Sequence, residues 1–123
     1  MASKSYIKGY NFERKVMKYL AKDKWTVFRQ PKSQFPDLIS FQPSSFGRLI
    51  EAIECKAKYH KNPKKLLTKA ELERAYELTI RLNLFDAFYV ASKTINGKVR
   101  LTRLFWEGLE GRLKWTRKKI NII

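Results

Sequence analysis

Leu49 to Ala57 reads L-I-E-A-I-E-C-K-A, an apolar run interrupted by charges at Glu51, Glu54 and Lys56, the last two spaced by two. Its length and its Leu and Ile content mark a β-strand. Side chains alternate along a strand, so Glu54 and Lys56 share one sheet face while Ile53 and Cys55 take the other. Charged residues seldom end so apolar a strand without partners. Glu54-x-Lys56 is therefore either an exposed ion pair or half of a site.

Upstream, Asp37 directly follows Pro36 and opens a short strand, D-L-I-S-F, to Phe41, closed by Pro43 and the Ser44-Ser45 pair. Trp25 to Arg29 (W-T-V-F-R) is β-branched and aromatic and reads as another strand, ended by Pro31. Before it, Tyr6 to Ala21 reads as a helix whose Phe12, Val16, Tyr19 and Leu20 form an apolar stripe. Downstream, Lys58 to Lys65 reads as a basic loop. Thr68 then caps a second helix, Glu71 completes a capping box and Leu67 staples against Leu72. Leu72, Ala75, Tyr76, Thr79 and Leu82 continue one face of it toward Asn83. Phe85 to Ser92 is an apolar strand, and Asn96-Gly97 signals a hairpin to a strand carrying Val99 and Leu101. Arg112 to Thr116 is a candidate last strand. The order α-β-β-β-α-β-β suggests an α/β fold with a mixed sheet flanked by helices. Its 123 residues suit a single domain, 1–123.

Charge narrows the partner. Twenty-seven Lys and Arg against 11 Asp and Glu give +16, an excess usually tolerated where a polyanion is bound. Nucleic acid is the expected partner, with a solubility effect the bland alternative. No run approaches the roughly 20 apolar residues that span a bilayer, and Met1 to Tyr10 lacks the apolar core of a secretory signal. No membrane role and a cytoplasmic location are expected. One cysteine, Cys55, excludes an internal disulfide, and its strand position makes it a small core residue.

Among so many cations the acids stand out. Two carboxylates on neighbouring strands, Asp37 and Glu54, can share one Mg²⁺, a hard cation that keeps several waters. An ammonium beside them, Lys56, can stabilise an attacking hydroxide or the charge growing on phosphate. Glu13 lies at the edge of the first helix's stripe with no cation three or four residues away, so its partner is distant. A metal site is one such partner and an ordinary rim position is the alternative. His60 reads as solvated or phosphate-contacting. The Lys58 to Lys69 run is either a DNA track or a solvated face. Phe105, Trp106 and Leu109 are a dimer face or core, and Arg117, Lys118 and Lys119 are DNA contacts or a solvated end.

Taken together, G-Y-N-F-E-R (Gly9 to Arg14), W-T-V-F-R-Q-P-K-S (Trp25 to Ser33), F-P-D-L-I (Phe35 to Ile39), I-E-C-K (Ile53 to Lys56) and F-D-A-F-Y-V-A-S-K (Phe85 to Lys93) resemble the PD-(D/E)XK nuclease superfamily. More narrowly they resemble the archaeal-type Holliday junction resolvases, including versions carried by viruses of archaea, whose location would be the host cytoplasm. The resemblance implies a restriction-endonuclease-like fold and a homodimer that nicks two symmetric strands of a four-way DNA junction. It implies Mg²⁺, with Mn²⁺ as a substitute, held by Glu13, Asp37 and Glu54, with Lys56 as catalytic lysine and Ser33 near the scissile bond. Arg14 and Arg29 would sit near phosphate, and Lys32, Lys58, Lys61, Lys64 and Lys65 would extend the DNA contact. Only Gln34-Phe35 separates Ser33 from Pro36, where relatives often carry a longer loop. A repair or flap-type nuclease with the same residues and a non-catalytic basic DNA binder are the competing readings.

Overall fold

A computed structural model describes residues 4–31, 34–44, 47–107 and 114–116. Helix α1 (Lys4–Ala21) leads into β1 (Thr26–Arg29), β2 (Leu38–Ser44) and the long β3 (Gly47–Tyr59). A short 3-10 turn (Pro63–Leu66), helix α2 (Lys69–Tyr76) and a wider π-type segment (Glu77–Arg81) follow. Then come β4 (Ala87–Lys93) and β5 (Val99–Arg103), and a separate small ribbon of β6 (Phe105–Glu107) and β7 (Lys114–Thr116). The main sheet has the order β1-β2-β3-β4-β5. Only β3 and β4 run parallel, and the other pairs are antiparallel. A parallel pair needs a long crossover, which the segment containing α2 supplies. The fold is thus mixed α/β, a five-stranded sheet flanked by helices.

The pleat divides the core in two. Leu38, Ile53, Tyr89, Ala91 and Leu101 point toward α1 and pack on its Phe12, Val16 and Leu20. Ala52, Phe88 and Val90 point the other way, onto Leu67, Ala75 and Leu78 of the crossover. Tyr19 only borders the first cluster. Every residue of β4 from Ala87 to Ser92 is buried, as a strand covered on both faces must be.

Local chemistry sets the boundaries. The capping box of α2 is complete: the Thr68 hydroxyl accepts from the Glu71 N–H, and the Glu71 carboxylate accepts from the Thr68 N–H. Leu67 and Leu72 share the second core cluster. Gly97 adopts φ 79 in the β4–β5 turn, as a residue without Cβ does readily. Three expectations need correcting. Pro43 and Ser44 do not close β2, because Pro43 pairs with Arg48 within a hairpin that runs to its tip. The expected basic loop begins later, since β3 continues through Lys58 and Tyr59. Leu82 does not extend the buried face of the second helix: its N–H reaches back to the Glu77 carbonyl, the turn widens, and the side chain is 53% exposed. Asn83, at φ 52, then ends the segment, and the Leu84 N–H closes on the Leu78 carbonyl. Of the expected last strand, Lys114–Thr116 is present and pairs with β6.

Ile53 is fully buried between α1 and the sheet, whereas Leu82 is exposed. Ile53→Ala should cost roughly 2–5 kcal/mol, and Leu82→Ala less than about 0.5 kcal/mol. Equilibrium urea unfolding of the two variants checks this contrast, and equal losses would contradict the described packing.

Candidate active site

The β2–β3 ladder ends at Leu38 opposite Ile53. One step beyond, side chains replace backbone as hydrogen-bond partners. The Asp37 N–H donates to Glu54 Oε1 at 3.1 Å, and the Cys55 N–H donates to Asp37 Oδ2 at 2.9 Å. Each carboxylate thus satisfies a backbone donor of the opposite strand. The approach to Asp37 is fixed by packing, for Pro36 is fully buried and the Phe35 ring stacks on Phe88 at 5.4 Å.

Glu54 and Lys56 share the face that α2 covers, as their spacing predicts. Lys56 Nζ lies 3.6 Å from Glu54 Oε2 and 2.9 Å from Glu71 Oε2. Glu71, read from the sequence only as a helix-capping residue, is therefore also the clamp on the lysine. The capping box could not announce this, because which strand a helix N-terminus faces is a tertiary fact. A basic residue at Lys56, needing an anion, was the available signal.

Burial first, and then the charge of Asp37, push the Glu54 carboxyl up to about 9. Asp37 is also raised, by burial, although the Cys55 N–H and Lys56 work against it. At neutral pH the two crowded carboxyls hold a proton between them. Burial opposes the charge on Lys56, but the Glu71 hydrogen bond and the three surrounding carboxylates outweigh it, and the ammonium is held above its ordinary range. Glu71 goes the other way. Burial favours its neutral form, yet the Thr68 N–H and Lys56 hold it below the ordinary carboxylate range.

The distant partner of Glu13 is Arg29, with Nε 2.7 Å from Oε1. The Arg29 guanidinium also lies over the Tyr10 ring, 4.7 Å from its centroid, and Arg14 approaches that ring at 5.8 Å. Glu13 is near enough to raise the Cys55 thiol, although burial is the main cause and Asp37 the next. Cys55 packs against the α1 core as an inert small residue. Among the described residues, no three His, Cys, Asp or Glu side chains form a metal-ligating group. The structure therefore brings together Asp37, Glu54, Lys56 and Glu71, and holds Glu13 at the α1–β1 edge with Arg29.

Of the expected DNA-contacting set, Lys58, Lys61 and Lys65 are exposed and Lys64 is half-buried. Ser33 and Lys32 lie outside the described residues, as do Leu109, Arg117, Lys118 and Lys119. His60 is half-buried rather than solvated, and its Nδ1 accepts from the Asn62 N–H at 2.7 Å, which shapes the loop. Trp106 packs edge-on against Tyr76 with centroids 6.1 Å apart, so it contributes to the core.

The site and the sheet that carries it can be compared with known proteins. No protein-family model matches the chain, and no curated protein matches it. Among solved structures, the chain is similar to Archaeoglobus fulgidus Hjc, a Holliday junction resolvase from an archaeal hyperthermophile. The TM-score is 0.58 at 23% identity, with 94% of this chain and 84% of that one covered. The two proteins share the fold.

The raised Glu54 carboxyl has a thermodynamic consequence. Between the ordinary value of 4.5 and about 9, the folded protein keeps a proton that the unfolded chain has released. Stability should therefore fall as pH rises through that window. Glu51, raised by burial although the Tyr89 hydrogen bond and Arg103 work against it, adds a slope of the same sign. Thermal melts in the presence of a chelator should show Tm declining across this range, and Glu54→Gln should flatten most of the decline. A slope unchanged in Glu54→Gln would rule out the shared proton.

Proposed function

We propose that the chain is a Mg²⁺-dependent endodeoxyribonuclease of the Holliday junction resolvase type, one nuclease domain acting as a homodimer on four-way DNA junctions. The observation that carries this reading is the Asp37–Glu54 pair, crowded at the end of two strands with Lys56 beside it. The charge of +16 and the resolvase-like fold support DNA as substrate, and the cytoplasm is where such a protein meets it. No helix among the described residues is long and apolar enough to cross a membrane.

The residues fit a Mg²⁺ site. Hard carboxylate oxygens suit the ion, which needs only one or two of them with waters filling the other positions. Asp37 and Glu54 would hold it, with its charge replacing their shared proton. Glu13 would join them only by giving up Arg29. When bound, Mg²⁺ supplies Lewis-acid polarisation of phosphate and a water of lowered pKa.

The chain's own groups do the rest. Lys56 stays protonated at neutral pH, so its role is to stabilise negative charge growing on phosphate rather than to accept a proton. Glu71 is a positioning residue that aims this ammonium. Arg29, oriented by Glu13 and Tyr10, would meet the DNA backbone, with Arg14 beside it. Lys58 at the end of β3 and Lys61, Lys64 and Lys65 beyond it would continue the track. Ser33 and Lys32 retain the roles that the resemblance implies.

A non-catalytic DNA binder is the second reading. It is favoured by the internal satisfaction of these charges, since Lys56 already pairs with Glu71 and Glu13 with Arg29. A Mg²⁺ cleavage assay comparing junction, flap, nicked and linear DNA separates the readings. A resolvase cuts the junction preferentially and symmetrically, a repair nuclease prefers another structure, and a pure binder never cuts.

Asp37 and Glu54 accept backbone hydrogen bonds, so conservative variants are the cleaner test. Asp37→Asn, Glu54→Gln and Lys56→Met should each lower junction cleavage by on the order of 100-fold or more, with junction binding retained. Alanine at Asp37 or Glu54 should abolish cleavage and cost stability as well. Normal Mg²⁺-dependent nicking by Asp37→Asn or Glu54→Gln would reject the site.

A further inference from the structure

Outside this site the strongest feature lies across the sheet, on the α1 side. Lys4, Lys8, Asn11, Lys15, Lys18 and Lys22 follow one another at intervals of four and three residues. That spacing keeps them on one flank of α1, the flank opposite Glu13. From Lys4 to Lys18 the stripe is about 21 Å long at the α-helical rise, the length over which duplex DNA presents roughly a dozen phosphates.

The stripe does not stand on an open helix face. It forms one wall of two adjoining hollows of about 420 and 560 Å³, which share Lys15. The β4–β5 hairpin forms the other wall and adds Lys93 and Lys98. Lys15 donates to the Gly97 carbonyl at 2.8 Å and so ties the two walls together, while Lys93 lies over the Phe12 ring. Among the described residues no Asp or Glu lines either hollow. So many like charges in one trough repel one another, and a polyanion relieves that repulsion. A concave trough fits a rod, whereas a bilayer presents a flat sheet of charge.

We propose that this trough binds the phosphate backbone of a second DNA arm, on the opposite face of the sheet from the arm being cut. The proposal rests on the nuclease reading for the identity of the polyanion. The cutting residues Glu54 and Lys56 face α2, whereas the trough lies against α1 and the hairpin. A duplex seated in it is therefore a different segment from the scissile one. One chain would then hold two arms of a branched substrate at a fixed angle, and junction preference would come from that geometry rather than from the cutting site.

The test uses the full chain with Lys8→Gln/Lys18→Gln, both exposed, and a charge-matched control, Lys24→Gln/Arg81→Gln, whose residues line neither hollow. Fluorescence anisotropy follows binding to a four-way junction without divalent metal across a salt series, and thermal melts verify folding. The trough variant should lose about tenfold or more in affinity, and its slope of log K against log salt should become shallower by about two. The control should change less than twofold. Equal losses in both variants would mean diffuse attraction and overturn the trough, as would binding to anionic vesicles that duplex DNA cannot compete away. If the native chain cuts junctions and the trough variant binds and cuts them as well, the trough fails and the nuclease reading stands. If the native chain binds through the trough but never cuts, the nuclease reading fails and the trough stands. No DNA binding by the native chain removes both.

Discussion

The exchange between Asp37 and Glu54 is the constraint on which the site depends. Where two strands stop pairing, their backbone N–H groups must find other acceptors, and an unsatisfied buried donor is costly. Here each strand supplies a carboxylate to the other. The same two bonds set the separation of the acids, so that their mutual repulsion and their raised carboxyls follow from strand register. The site and the ladder are one construction. Either acid is therefore as much a part of the strand pairing as of the site.

Around that pair the fold distributes its work by face. α1 seals one side of the sheet with Phe12, Val16 and Leu20, and the crossover seals the other with Leu67, Ala75 and Leu78. Glu71 links the second layer to the candidate site, because one of its oxygens completes the helix cap and the other restrains Lys56. Fraying at the start of α2 would therefore be felt at the lysine. Arg29 plays the corresponding part at the α1–β1 edge, tying helix to strand through Glu13.

Much of this was legible in the residues. The period of two in I-E-C-K placed Glu54 and Lys56 on one face, and that is where they are. The Thr68–Glu71 capping box and the Asn96-Gly97 turn were local signals with local causes, and both hold. The failures were tertiary. Pro43 was read as a stop, but near the end of a hairpin a proline can occupy a strand. Leu82 was given to a helical face that the π-type turn dissolves. Glu13 was correctly read as needing a distant partner, yet nothing in the sequence could choose between an ion and Arg29. The clamp role of Glu71 was invisible for the same reason, since it depends on where a helix docks.

The outer border of the sheet at β1 bears on how such molecules crowd together. Thr26–Arg29 is only four residues long, and Pro31 follows within two positions. A border so short, carrying Arg29 and interrupted by a residue lacking an N–H, is a poor template for a strand from another molecule. This edge of the sheet is thus guarded against strand addition from a second copy, even though Phe28 is exposed.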